Sequence, residues 1–415
     1  MGRPKERKRI ESDRQSQKER PRIAALASVY RKYSHAQHIL DRFLWGYGWG
    51  SRHHYPPMDL VSLYVDQVGD DDLSHERAAE FPLLEVYPSI REALTLGGTE
   101  LAVDGVLLIA EHGSYRLNQK GQTLFPRYEW FKEIVDVYRA SGRTAPIFND
   151  KHLSWNWEWA KEMVETAKEM GFALMAGSSL PWVPRVPPVD LPLGAEVEEV
   201  LCLGAGRFDH LDFHSLEILQ CMVERRRGGE TGVVAVQALR GKAILDAMNA
   251  GSWAAGGWDP RLLEACLCRS HTLTPAREGF SLVYPGAKEI PDLLTAEPYA
   301  YRIEYADGLK ATMLHLSGLV GDRTFAARLK GAREPLSTLI YAQRGELCNF
   351  FSAQVDAVEK VFLAGKATHP VERTLLTTGL TAAGVESLWL GQKRIETPHL
   401  AIRYEPTPHS SFRRT

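Results

Sequence analysis

Three short stretches of this 415-residue chain gather side chains that move protons or hold ions: Asn149-Asp150-Lys151-His152, Glu111-His112, and His210 to Glu217 (HLDFHSLE). Chemistry at a hydroxyl or carbonyl oxygen needs a group that takes or gives a proton there, and a lysine or histidine of suitably shifted pKa does this. Lys151 and His214 are the candidates. Lys151 would orient or polarise the oxygen and His214 would act as acid/base, with Glu217 as its orienting partner. The plainer account of Lys151 is a solvated turn lysine. The third stretch admits a second chemistry. On a strand, positions 210, 212 and 214 share a face; on a helix, 210, 214 and 217 do. His210, His214 and Glu217 are therefore also a candidate set for Zn²⁺ or another divalent metal, against the commoner outcome of hydrogen-bonded residues at a domain seam. In ERRRGGETG, residues 224–232, Arg225 is a candidate to hold a substrate carboxylate or phosphate, the alternative being a solvated turn.

These residues need a scaffold that presents them on one side. Thr144 to Ser179 reads as strand, turn, helix, strand: an apolar run ending at Phe148, the polar turn 149–152, an amphipathic run to Met170, a Gly171 stop, then Phe172 to Ala176. That puts Lys151 at the carboxyl end of a parallel strand, the edge where ligands bind in open α/β sheets. Leu101 to Ala110 is almost wholly apolar and predicts a central strand, with Glu111 and His112 at the same edge. His112 is either a backbone-bonded turn histidine or a substrate or cofactor contact. Arg22 to Tyr30 predicts a first strand, and a helix capped by Ser34 and stopped by Gly46 follows. The connection between them, SVYRKYSHA, has no glycine, so the backbone cannot approach a pyrophosphate in the usual way. Met58 to Val68 predicts a second strand, and Asp66 near its end would bond an adenosine ribose or cap the turn GDDDLS. Further helices are expected at Ser74–Glu80, Ser89–Leu96 and Tyr128–Ala140, with a polar loop at 114–127.

Pro181 to Pro192 carries five prolines and predicts a hinge. Beyond it, strands at Glu196–Leu203, Gly232–Leu239 and Phe280–Tyr284, and a hairpin around Asp307-Gly308, predict an α+β domain with a largely antiparallel sheet. Phe351–Leu363 and Val371–Leu388 predict closing helices. The expected order is a disordered leader (1–21), a Rossmann-like parallel-sheet domain (22–181), the hinge (182–192), the α+β domain (193–400) and a tail (401–415).

Composition narrows the partners. A net charge of -2 gives no bulk reason to expect nucleic acid or an anionic membrane, and no stretch approaches the ~20 apolar residues of a membrane helix. Five scattered cysteines and a leader without an apolar centre predict a reduced, cytoplasmic setting. Trp155, Trp157 and Trp159 predict packing, although aromatic walls also stack on sugars.

Lined up, these pieces resemble the glucose-fructose oxidoreductase and inositol dehydrogenase family, Gfo/Idh/MocA. Asp150-Lys151-His152, WNWEWAKEMVETAKEMG and FALMAG look like the family's Glu-Lys-Pro turn, helix and strand. GAGRFDHLDFHSLEILQCM is similar to its glycine-rich lead into Asp-x-x-x-His, with His210 at the aspartate and His214 at the histidine, and VDAVEKVFLAGKATHPVERTLL looks like its closing helices. The chain departs from the pattern in the missing glycine turn, in His152 for the proline and in His210 for the aspartate. The resemblance implies a lysine and a histidine working with NAD or NADP on a sugar or polyol, and a homo-oligomer. Asp66, Glu111 and His112 would then face the cofactor, and His152, His210 and Arg225 the substrate. The rival expectation is a protein that has lost dinucleotide binding and is a metal-assisted lyase or hydrolase, or a non-catalytic binding subunit.

Overall fold

The computed structural model describes residues 20–275, 284–343, 345–410 and 412–413. Most of the expected leader and residues 280–283 of one expected strand lie outside these. The first half alternates strands and helices: β1 (Arg22–Ala27), α1 (His35–Trp45), the small hairpin β2 (Tyr47–Trp49) and β3 (Arg52–His54), β4 (Asp59–Val65), α2 (Ser74–Glu80), β5 (Glu85–Val86), α3 (Ile90–Thr95), β6 (Gly105–Ile109), α4 (Arg127–Ser141), β7 (Ile147–Asp150), α5 (Trp157–Met170) and β8 (Leu174–Gly177). Six of these strands form a parallel sheet in the order β5-β4-β1-β6-β7-β8. The order reverses between β1 and β6, so the connections leave that point in opposite directions and open a crevice at the carboxyl ends. Local chemistry explains the boundaries. Ser34 accepts the N–H of Gln37, Ser89 that of Glu92, and Gly142 and Gly171 close α4 and α5 in the left-handed conformation.

The second half holds β9 (Arg185–Val186), β10 (Val197–Gly204), α6 (Asp212–Val223), β11 (Val233–Arg240), α7 (Lys242–Ala250), α8 (Pro260–Leu267), α9 (Ile290–Leu293), β12 (Tyr299–Tyr305), β13 (Lys310–His315), β14 (Arg323–Leu329), β15 (Leu336–Ile340), α10 (Phe350–Ala364), α11 (Glu372–Trp389) and β16 (Ile395–Glu396). Its eight-stranded sheet runs β16-β11-β12-β13-β10-β14-β15-β9, antiparallel except where β10 pairs with β13. The fold is therefore a Rossmann-like parallel-sheet domain plus an α+β domain with a largely antiparallel sheet. The hairpin at Asp307-Gly308 joins β12 to β13, with Gly308 at φ +96°.

Two expectations change. The proline-rich segment is not a bare hinge, because Arg185 and Val186 pair with Ile340 and Leu339 as the edge strand of the second sheet. Nor does the chain leave the first domain for good at residue 181. Helix α10 returns to it, burying Phe351, Val355, Val358 and Phe362 with Ile23 and Ala25 of β1 and Ile39 of α1. The Phe362 ring lies 2.6 Å from where a side chain on Gly105 would begin, so only glycine fits at the start of β6.

Candidate active site

The carboxyl edge of the parallel sheet faces α6 and the loops of the second domain across a cleft of about 900 Å³. Glu111 and His112 arrive from the turn after β6, Lys151 from the end of β7, His35 from the start of α1, and His210 and His214 from the other domain. Backbone conformation aims two of them. Lys151 (φ +68°) and His112 (φ +69°) are non-glycine residues in the left-handed region, a strained choice that surrounding structure must hold. For Lys151 the restraint is visible: its N–H donates to the Gly177 carbonyl at 3.1 Å, and its ammonium lies 2.8 Å from Glu111 Oε1.

Glu111 is the hub. Its Oε2 accepts from Arg127 at 2.6 Å, and His210 Nδ1 lies 3.8 Å from its Oε1. Burial alone would raise the carboxyl pKa, but the Lys151 ammonium, His210 and the Arg127 guanidinium hold it well below the ordinary range. Arg127, fully buried, also donates to His152 Nε2 at 3.0 Å. His152 is thereby kept out of the cleft: it is 4% exposed, neutral because burial and Arg127 push its pKa well down, and part of the wall behind Glu111.

His214 lies in the first turn of α6, with Nδ1 2.5 Å from Ser178 Oγ. Burial first, then the charges of Lys151 and Arg323, push its pKa well below the usual value, so it is a neutral imidazole at pH 7. Glu217 does not hold it directly. Its Oε2 accepts the Ser178 N–H at 3.3 Å and its Oε1 the Thr377 hydroxyl at 2.5 Å, so Ser178 stands between the two. Glu217 is 1% exposed, and burial raises its pKa to about 7.

His35 Nδ1 is 2.6 Å from Asp150 Oδ2, a histidine–carboxylate pair that the sequence reading did not single out. The signal was present: Asp150 precedes Lys151, and His35 follows the first strand at the sheet's switch point. Burial, then His35, takes the neighbouring His112 down to about 4.

Other candidates lie elsewhere. Asp66 accepts from Tyr64 at 3.0 Å and Tyr115 at 2.7 Å and does not line the cleft. Arg225 donates to the Leu191 and Thr407 carbonyls and pairs with Asp190, so its guanidinium ties the proline-rich segment to the chain's end rather than meeting substrate. Among the described residues no three His, Cys, Asp or Glu side chains form a metal-holding group, so His210, His214 and Glu217 are not a ligand set. Helix α6 turns Glu217 toward Thr377 of α11, while His210 stays in the preceding loop. The tryptophans pack: Trp155 on Trp159, Trp159 on Tyr128, and Trp157 on His399.

The loop from 114 to 126 is clasped to the second domain by Asp209, whose Oδ2 accepts the Thr123 N–H at 2.9 Å. Burial, then Asp212, raises Asp209 to about 7. Stability contributed by its neutral form is full below the ordinary value of 3.8 and is lost as pH rises through about 7. Asp209→Asn keeps the acceptor and tolerates the local φ of +62°. It should gain about 1–3 kcal/mol relative to the unsubstituted protein at pH 8, but not at pH 4, in urea unfolding. Equal stability of the two proteins at both pH values would contradict this.

No family model and no curated protein matches the sequence. Solved structures match along both domains. GenD2 from gentamicin A biosynthesis, in complex with NAD, is 14% identical, with 91% of this chain and 97% of that chain covered and a TM-score of 0.54. Myo-inositol dehydrogenase from Lactobacillus casei, in complex with NAD(H) and myo-inositol, is 11% identical over 94% and 99% of the two chains, at 0.53. A Gfo/Idh/MocA family oxidoreductase from Vibrio cholerae is 14% identical over 89% and 99%, at 0.50. At such identities the likeness concerns architecture, and the chain has the two-domain fold of the Gfo/Idh/MocA oxidoreductases.

Proposed function

We propose that the protein is a nicotinamide-dependent oxidoreductase acting on a sugar, polyol or derivative held between the two domains. The observation that carries this reading is the convergence of Lys151 and Glu111, from the first sheet's carboxyl edge, with His214 of the second domain in one cleft. NAD in GenD2 and NAD(H) with myo-inositol in the Lactobacillus casei enzyme support it by analogy of fold.

The dinucleotide is a test of fit. The turn after β1 has used much of its own backbone: the Tyr30 carbonyl accepts from Leu73, the Arg31 N–H donates to Ser34 Oγ, and the Tyr33 N–H donates to Gln37. A diphosphate cannot be cradled there by glycine amides. A second recess of about 330 Å³, lined by Val29, Arg31, Gln67, Asp71, Asp72 and Gly113, adjoins the main cleft through Arg31 and Gly113. It carries a buried carboxylate oxygen, Asp72 Oδ2, with no hydrogen-bond partner. These residues fit the group: Arg31 would hold the diphosphate, and Asp72, rather than Asp66, a ribose hydroxyl. A bound nicotinamide supplies a hydride acceptor. The Lys151 ammonium, 2.8 Å from Glu111 Oε1, donates to a substrate oxygen, and neutral His214 orients a second hydroxyl. The free state of all five cysteines accords with the reduced, cytoplasmic setting that belongs to the same proposal.

NAD or NADP at ~100 times its Kd should add about 2.7 kcal/mol of stability, read as a raised melting temperature. Arg31→Gln should weaken NADH binding about 5- to 100-fold by fluorescence titration, as loss of one charge-assisted contact implies. Unchanged NADH affinity would remove Arg31 from the site, and no stabilisation by either dinucleotide would remove the cofactor.

A further inference from the structure

We propose that His35, backed by Asp150, is the base that takes the substrate's hydroxyl proton, a step that rests on the oxidoreductase reading above. His35 is the first residue of α1, and its side chain lines the cleft that holds Lys151, Glu111 and His214. Its Nδ1 is 2.6 Å from Asp150 Oδ2, with side-chain exposures of 15% and 2%. In the proposed role Nδ1 donates to Asp150 Oδ2, which leaves Nε2 as the atom that takes the proton. The ring is held edge-on by Phe351 at 4.9 Å and by His112 at 5.2 Å between centroids, which limits its rotation. This is the arrangement in which a buried acid fixes the tautomer of a working base and stabilises the imidazolium it becomes.

The other groups in the cleft are poorly placed for the task. Lys151 is an ammonium on Glu111, and an ammonium donates. Glu111 is engaged by both Lys151 and Arg127. His214 already faces Ser178, and burial with Lys151 and Arg323 weakens its hold on a proton. The titratable groups that interact with His35 are Asp150 from β7, Glu111 and His112 from the turn after β6, His38 along its own helix and His214 of α6; α10 presents the apolar ring of Phe351.

A bound oxidised nicotinamide would take the carbon-bound hydrogen with its electron pair and so be reduced. The hydroxyl proton passes to His35 Nε2, and the C–O bond becomes C=O. The imidazolium then loses its proton to solvent. His35 is the catalytic residue and Asp150 a positioning residue.

The test uses the full chain, NAD⁺ and a series of polyols beginning with myo-inositol. His35→Gln and Asp150→Asn should each lower kcat by about 10²- to 10⁴-fold, with KM and NADH affinity held within roughly threefold, because only proton transfer is lost. Added imidazole should restore part of the kcat of His35→Ala, which a purely structural role would not allow. The inference is overturned if His35→Gln keeps kcat within about fivefold of the unsubstituted protein, or if its NADH affinity falls as far as its kcat. Turnover by the unsubstituted protein that survives in His35→Gln defeats this inference alone. An unsubstituted protein that binds NADH yet oxidises no polyol in the series defeats the functional reading, and this inference with it.

Discussion

Lys151→Met should cost on the order of 10²- to 10³-fold in kcat/KM on any polyol the protein oxidises, the scale seen when one preorganised donor is lost from a closed site. Methionine keeps the apolar stem and most of the length and deletes the ammonium with its charge and donors. The residue is 4% exposed and its backbone sits at φ +68°, so the ammonium has little freedom to be anywhere but beside Glu111. Its removal leaves no carboxylate stranded, because Glu111 keeps Arg127 at 2.6 Å. The melting temperature should therefore change little, and steady-state kinetics beside a thermal melt separates the two effects. Near-normal turnover in Lys151→Met would remove the residue from the chemistry.

Glu111→Gln should behave in the opposite way, as a stability variant first. The neutral amide leaves two buried cations, Lys151 and Arg127, without their shared counter-charge, and an uncompensated buried charge costs about 3–5 kcal/mol. The pH dependence has a definite sign. Burial alone would raise the Glu111 pKa, but Lys151, His210 and Arg127 depress it in the folded protein. Its contribution is thus present above the ordinary value of 4.5 and is lost as pH falls below it. Urea unfolding at pH 7 should show a lowered midpoint, and that part of the acid-side slope should be missing from the variant. Equal midpoints would mean that solvent, not Glu111, compensates the two cations.

The element pattern was legible because its causes are local. Period-two and period-3.6 apolar spacing, the caps at Ser34 and Ser89 and the stops at Gly46, Gly142 and Gly171 act within a few residues, and the structure honours each of them. The placement of Lys151 and Glu111 at the sheet's carboxyl edge followed from the same reasoning, since a parallel strand presents its carboxyl end on one side only. The alternation of strands and helices, followed by a strand-rich half, was enough to imply the two kinds of sheet.

Which side chains meet was decided by the tertiary fold. Arg225 and Asp66 carried the right chemistry, yet one is held by Leu191 and Asp190 and the other by Tyr64 and Tyr115. Arg127 read as the last residue of a polar loop, whereas it opens α4 and its guanidinium donates to Glu111. Helix α10 looked like part of the second domain, yet it packs against β1 and α1, and its Phe351 braces His35. The sequence alone determined the elements and the edge at which chemistry gathers, because hydrogen-bond caps and apolar periodicity are short-range. The pairing of His35 with Asp150, 115 residues away, was left to the tertiary structure, because burial and charge pairing depend on which distant surfaces exclude water together.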